Sequence, residues 1–107
     1  ASTRSLGKVI ATNAGTIYNG NGTIAVTLPS GNFSADFLAQ IGYVDRSGII
    51  ECTVRTPSGN YLYLGAMSGT GSSTSTYNVL YAEAGTYYFS FTSTITTPIE
   101  VVCYIYD

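Results

Sequence analysis

The sequence predicts an all-β chain folded as a single-domain, jelly-roll-like β-sandwich, and three observations lead there. Short stretches of alternating or β-rich residues recur along all 107 positions, most of them separated by Gly, Pro, Asn or Ser. The chain carries ten tyrosines and four phenylalanines, residue types that pack well on a pleated sheet. No segment sustains a helical period. A chain of this length buries one two-layer core and not two, so residues 1–107 are read as one domain.

Strands are expected near residues 8–12, 14–19, 22–28, 36–44, 48–56, 60–66, 76–82, 85–93 and 98–106. The opening Ala1-Ser2-Thr3 suits a mature N-terminus left by cleavage, and an arbitrary boundary equally well. Residues 1–12 form a candidate N-terminal strand or arm, β-prone from Leu6 to Thr12. Such a segment either closes its own sheet or adds to the edge of a neighbouring subunit, with Leu6, Val9 and Ile10 as the contact residues. From Ser34 to Ile41 a short helix is the alternative to a strand, with Ser34 as its cap and Phe37, Leu38 and Ile41 on one face. Only two turns would fit, so the strand is preferred. Ser68 to Thr76, rich in Ser, Thr and Gly, is expected to be a long exposed hairpin loop. It lacks the Gly-Lys-Ser/Thr ending of a phosphate-cradling loop.

One turn occurs twice. Val26-Thr27-Leu28-Pro29-Ser30-Gly31-Asn32-Phe33 is echoed by Val54-Arg55-Thr56-Pro57-Ser58-Gly59-Asn60-Tyr61. Proline presets φ at the first central position of a turn and glycine accepts the positive φ that follows. Each copy should therefore end a strand and reverse it, with core-facing aromatics afterwards; the functional alternative makes the two Asn-aromatic pairs twin ligand platforms.

The cysteines sit inside alternating patterns that fix their direction. Ile50, Cys52 and Val54 share the apolar face of one strand, while Glu51, Thr53 and Arg55 face the other way. Ile99, Val101, Cys103 and Ile105 share the apolar face of the last strand. Cys52 and Cys103 thus both point inward, either bridged or as buried free thiols. Composition favours the bridge, which would stabilise the fold by about 4 kcal/mol in the chain-entropy model, and with it an extracellular or cell-surface location.

Charge excludes several function classes. The charged fraction is 9%, against roughly 25% in ordinary soluble proteins, and the net charge is −2. Nothing here is the basic footprint of a nucleic-acid binder. No apolar run is long enough for a membrane-spanning helix. There is no histidine, and Lys8 is the only lysine that could serve a Ser or Thr nucleophile as base, so no enzyme, cofactor or metal site is expected. Asp36, Asp45, Glu51, Glu83, Glu100 and Asp107 form no Asp-x-Asp cluster of the calcium-binding kind.

Tyr61-Leu62-Tyr63-Leu64 after the second Pro-Ser-Gly turn, followed later by Ala84-Gly85-Thr86-Tyr87-Tyr88-Phe89-Ser90-Phe91, resembles the pre-peptidase C-terminal jelly-roll modules of secreted bacterial peptidases and, more distantly, GOLD-type sandwiches. The resemblance covers about residues 48–106 and implies the fold and an extracellular setting.

Function is expected to attach to the tyrosines. Tyr77, Val79 and Tyr81 share one strand face, and Tyr87, Phe89 and Phe91 another. Tyr88, Tyr104 and Tyr106 are the candidates for an outward band that is apolar in body and hydroxylated at the tip. The leading expectation is a non-catalytic structural or adhesive protein, a subunit of a surface assembly or filament whose partners are copies of itself. The alternative is a carbohydrate-binding or accessory module of a larger secreted enzyme, with glycans as partners and Asn60, Asn78 and Gln40 as hydrogen-bonding residues. Asn21 and Asn32 head N-glycosylation sequons, Asn21-Gly22-Thr23 and Asn32-Phe33-Ser34.

Overall fold

Alternation decides the strands in space as it does in sequence. In a computed structural model, which describes residues 6–107 except the side chains of residues 43–46 and 69–72, every regular element is a strand. The expected processed start at Ala1-Ser2-Thr3 lies outside the described residues. The strands are β1 (Val9–Ile17), β2 (Asn21–Leu28), β3 (Phe33–Arg55), β4 (Tyr61–Ala82), β5 (Gly85–Ser93) and β6 (Ile99–Tyr106). In β5, Tyr87, Phe89 and Phe91 are buried and Tyr88 is exposed; in β6, Ile99, Val101, Cys103 and Ile105 are buried.

Six strands stand where nine were expected because long strands run through the gaps. β1 joins the expected strands 8–12 and 14–19, and β3 joins 36–44 and 48–56. β4 joins 60–66 and 76–82 through the stretch expected to be a loop, which instead pairs along β3 from Ile49 opposite Ser68 to Leu38 opposite Thr76. At a sheet edge, Ser and Thr fill pleat positions without needing an apolar face, so the missing alternation was no sign of a loop. The short helix considered for Ser34 to Ile41 is also strand: Ala35, Phe37, Ala39 and Ile41 join the hydrophobic core, while Asp36 and Leu38 between them are buried outside that cluster.

Both long strands bend where their register shifts, between Ile41 and Gly48 of β3, a use of bulges that lets one strand serve two sheets. Residues 33–41 of β3 and 73–82 of β4 complete a sheet in the order β1-β6-β3-β4. Residues 49–55 and 61–68 complete a second in the order β2-β5-β3-β4. All pairings are antiparallel. Counted as arms, the chain has eight, paired first with eighth, second with seventh, third with sixth and fourth with fifth: a ribbon doubled at residues 56–60 and rolled into two layers, the jelly-roll wiring.

The repeated turn sequence is used in two ways. Around Pro57 it closes the β3–β4 hairpin, with Gly59 at φ 93° and its N–H donating to the Thr56 carbonyl over 2.9 Å. Around Pro29 it carries the chain from one sheet to the other, and Asn32, not Gly31, takes the left-handed conformation at φ 68°. Gly31 is needed there for another reason, since a Cβ would lie 2.3 Å from the Ala84 nitrogen. The following aromatics also differ: Phe33 packs against the core, whereas Tyr61 is exposed.

Rings from the two sheets meet in the middle. Phe37 lies 4.8 Å from Tyr87 and 6.2 Å from Phe89, centroid to centroid, tilted contacts of a kind worth about 0.5–1.5 kcal/mol each beyond area burial. The Tyr87 hydroxyl donates to the Glu83 carbonyl over 2.6 Å, so its polar end is satisfied. Cys52 and Cys103 also point into this core, as expected, but both are free thiols, and the expected disulfide is not formed. Cys52 stands beside Phe91 in one sheet and Cys103 beside Ala39 in the other. The two thiols belong to different layers, and the layers do not bring them within the reach that a disulfide needs at this position.

Candidate functional site

The outer face of the β2-β5-β3-β4 sheet carries the most ordered set of exposed functional side chains. Residues that alternate away from Val54, Leu64 and Phe89 must point to solvent here. In register across the strands, Arg55 of β3 has Tyr88 of β5 on one side and Tyr61 of β4 on the other. Tyr61 is 70% exposed and Tyr88 42%. With strands about 4.8 Å apart, the two tyrosines stand about 10 Å apart at their backbones, on either side of the guanidinium. One pleat along, Thr53 pairs with Tyr63 and with Ser90, and Ser90 shares a 3.2 Å hydroxyl contact with Thr23. Thr27 and Thr86 make a similar contact at 3.0 Å. Arg55 is exposed and makes no ion pair among the described residues, and its guanidinium carries five donors. The whole is a hydroxyl-bearing sheet face with rings on both flanks of one cation, and with the exposed Glu51 further along β3 as an anion.

The residues expected from the sequence are distributed differently. Tyr88 belongs to this face. Tyr104 and Tyr106 lie on the outer face of the opposite sheet, with ring centroids 5.8 Å apart and in register with Leu38 and Asp36. The three rings therefore do not form one band. Of Tyr77, Val79 and Tyr81, the two tyrosines are exposed and Val79 packs against the core. Leu6 is exposed. Val9 and Ile10 line a groove of about 660 Å³ at one end of the sandwich, with Lys8, Leu28, Phe33 and Asp107. β1 pairs with β6 of its own chain, Val9 opposite Tyr106 and Ile17 opposite Ile99, so it closes its own sheet.

Among the expected hydrogen-bonding residues, Asn78 is engaged internally, its amide donating to Asp36 Oδ1 over 2.9 Å and to the Ala35 carbonyl over 3.2 Å. Gln40 is exposed on the Tyr104 side of the sandwich. Asn60 lies in the turn next to Tyr61. Asn21 and Asn32, the sequon asparagines, are both exposed. Sequence reasoning missed Tyr61, Tyr63 and Arg55 as a set. The signal was present in the outward phase of Arg55 and of Tyr61-Leu62-Tyr63-Leu64, but the register that aligns them with Tyr88 depends on pairing across three strands.

No group of three or more Cys, Asp or Glu capable of holding a metal occurs among the described residues. No helix of the described residues is long and apolar enough to cross a membrane.

No family model matches this sequence, and no curated protein matches it either. Solved structures do. A Bacillus licheniformis lipase in propeptide form superposes with a TM-score of 0.62 at 14% identity, over 99% of this chain and 23% of the lipase. The pre-peptidase C-terminal domain of a Bacillus anthracis collagenase superposes at 0.53 with 13% identity, over 98% of both chains. A xylan-binding domain from Paenibacillus barcinonensis superposes at 0.52 with 11% identity, over 97% of both. At such identities the likeness is one of fold. It bears out the resemblance to pre-peptidase C-terminal modules that Tyr61-Leu62-Tyr63-Leu64 and Ala84-Gly85-Thr86-Tyr87 carry.

Proposed function

We propose that this chain is a non-catalytic, extracellular carbohydrate-binding or accessory module whose ligand is a glycan chain held on the outer face of the β2-β5-β3-β4 sheet. The observation that carries this reading is the register of Tyr88, Arg55 and Tyr61. Sugar rings present C–H faces that pack on aromatic faces, and hydroxyls that accept hydrogen bonds. Two tyrosines with a guanidinium between them offer both kinds of contact along one line, and Thr53, Ser90 and Thr23 add hydroxyl partners beside it. The sandwich shared with a xylan-binding domain and a peptidase accessory domain is compatible with such a role. Assembly by exchange of the N-terminal strand has no support in β1, which pairs with β6 of the same chain.

The test is affinity electrophoresis followed by calorimetry against neutral and acidic soluble polysaccharides. At least one should bind, and Tyr88→Ala and Tyr61→Ala should each weaken it by about tenfold, or 1.4 kcal/mol. Tyr104→Ala, on the opposite face, should leave it unchanged. Absence of binding to every class, or equal losses from Tyr104→Ala and Tyr88→Ala, would refute the assignment.

A further inference from the structure

Two sides of the sandwich end differently. On one side β1 and β2, the edge strands of the two sheets, are joined to each other: the hairpin bridge Tyr18 to Asn21 links them, and Asn13 reaches across to the Ala25 carbonyl. On the other side β4 is the edge of both sheets, and among the described residues it pairs with β3 alone.

Edge strands are normally protected by charge, proline, brevity or bulges. From Tyr61 to Ala82 there is no charged residue and no proline, and the strand runs for 22 residues. The part from Ser73 to Val79 keeps one uninterrupted register with β3 from Ile41 to Ala35, so it offers a regular, bulge-free row of backbone groups. Next to it, Leu80 is 70% exposed and Tyr81 79%. Thr76-Tyr77-Asn78-Val79-Leu80-Tyr81-Ala82 has no glycine either, which makes it a stretch of high β-propensity and zero charge presented at an open edge.

We infer that the β4 edge pairs with the β4 edge of a second copy of this chain, antiparallel about a two-fold axis near Thr76. An isologous contact sets the residue on the axis against its own copy and every other residue against its mirror position, so a charge on the axis would meet a like charge and one beside it would need an opposite charge at the mirror position. A strand with none satisfies that condition without a complementary partner, and the low net charge of −2 adds little repulsion between whole molecules. In this register Thr76 faces its own copy, Thr74 faces Asn78, and Ser75 faces Tyr77. Thr–Thr pairs are favourable across antiparallel strands. The two sandwiches then share a continuous sheet, and the glycan face around Tyr88 stays open on each copy, so the pairing stands or falls independently of sugar binding.

Sedimentation velocity over a hundredfold range of concentration, with amide hydrogen exchange, tests the pairing. The wild-type protein should form dimers in which the Ser73–Val79 amides are slowed as concentration rises. Thr76→Lys and Thr76→Glu, at an exposed position, should each weaken association at least tenfold while melting like the wild type, because like charges then meet at the axis. Mixing the two variants should restore dimers, now heterodimers, which a general loss of fold would not do. A wild-type protein that stays monomeric throughout, dimers that persist in Thr76→Lys, or failure of the mixture to associate would each overturn the inference. Slowing of the β4 amides only on addition of an unrelated β-strand peptide would overturn it too, in favour of a different protein as the occupant.

Discussion

The side-chain amide of Asn13 donates to the carbonyl of Ala25 over 2.8 Å, tying β1 of one sheet to β2 of the other where no continuous ladder joins them. The side-chain Oδ1 of Asn13 meanwhile accepts from the Ala14 N–H at 2.9 Å. Asn13→Ala should therefore cost about 1 kcal/mol, the usual net value of such a bond, and Asn13→Asp should not recover it because a carboxylate has no N–H to donate. Urea unfolding at neutral pH is the check; an unchanged midpoint for both variants would mean that water replaces the bond without loss.

Gly85 opens β5 at φ 131°, and a Cβ there would lie 2.8 Å from Cγ of Pro57. Conformation and contact both exclude a side chain. Gly85→Ala should destabilise the protein by about 1–3 kcal/mol, read as a lower denaturation midpoint. A stability equal to wild type would show that the Pro57 turn moves aside freely.

Burial pushes the Cys52 thiol up to about 12 from 9.0, and pushes Cys103 higher still, with Cys52 adding to the effect. Tyr87 is pushed up to about 12 from 10.0, by burial first and then by the Glu83 carboxylate, against the lowering effect of its hydrogen bond to the Glu83 backbone. In each case the folded chain holds a proton that the unfolded chain releases earlier, so high pH favours unfolding. Stability should be flat through neutral pH and fall from about pH 9 towards 12, the interval between the unfolded and folded values of Cys52. The double variant Cys52→Ala/Cys103→Ala should show a shallower alkaline decline. An equally steep decline without the thiols would assign the effect to other groups. Reductant should leave the wild-type midpoint unchanged, since both cysteines are free.

Much of this architecture was legible because alternation is a local property. Tyr87, Phe89 and Phe91 on one face, and Ile99, Val101, Cys103 and Ile105 on another, are read correctly from period two alone. What alternation does not encode is which strand lies next to which. Cys52 and Cys103 were both placed inward, and whether a bridge follows depends on the gap between sheets. Tyr88, Tyr104 and Tyr106 were all candidates for outward positions, yet an outward ring on one sheet and an outward ring on the other are on opposite sides of the molecule. The glycine and serine run from Ser68 to Thr76 has no apolar phase to read, so only its pairing with β3 identifies it as strand. The Arg55 site was hidden for the same reason: its three members come from three strands.

The doubled ribbon also sets an order of events for folding. Among the ladders that join the described strands, the closely spaced partners are those around the Pro57 turn, where Arg55 pairs with Tyr61, and each further pairing encloses a longer stretch of chain until Val9 meets Tyr106. Loop-closure entropy rises with each enclosed segment unless the segment inside is already zipped. Folding should start at residues 56–60 and travel outward, reaching β1 and β6 last. A topology made almost wholly of distant pairings folds slowly for its size, on the millisecond-to-second scale. Substitutions that loosen the Thr56 to Asn60 turn should slow refolding, while those in β1 should chiefly speed unfolding.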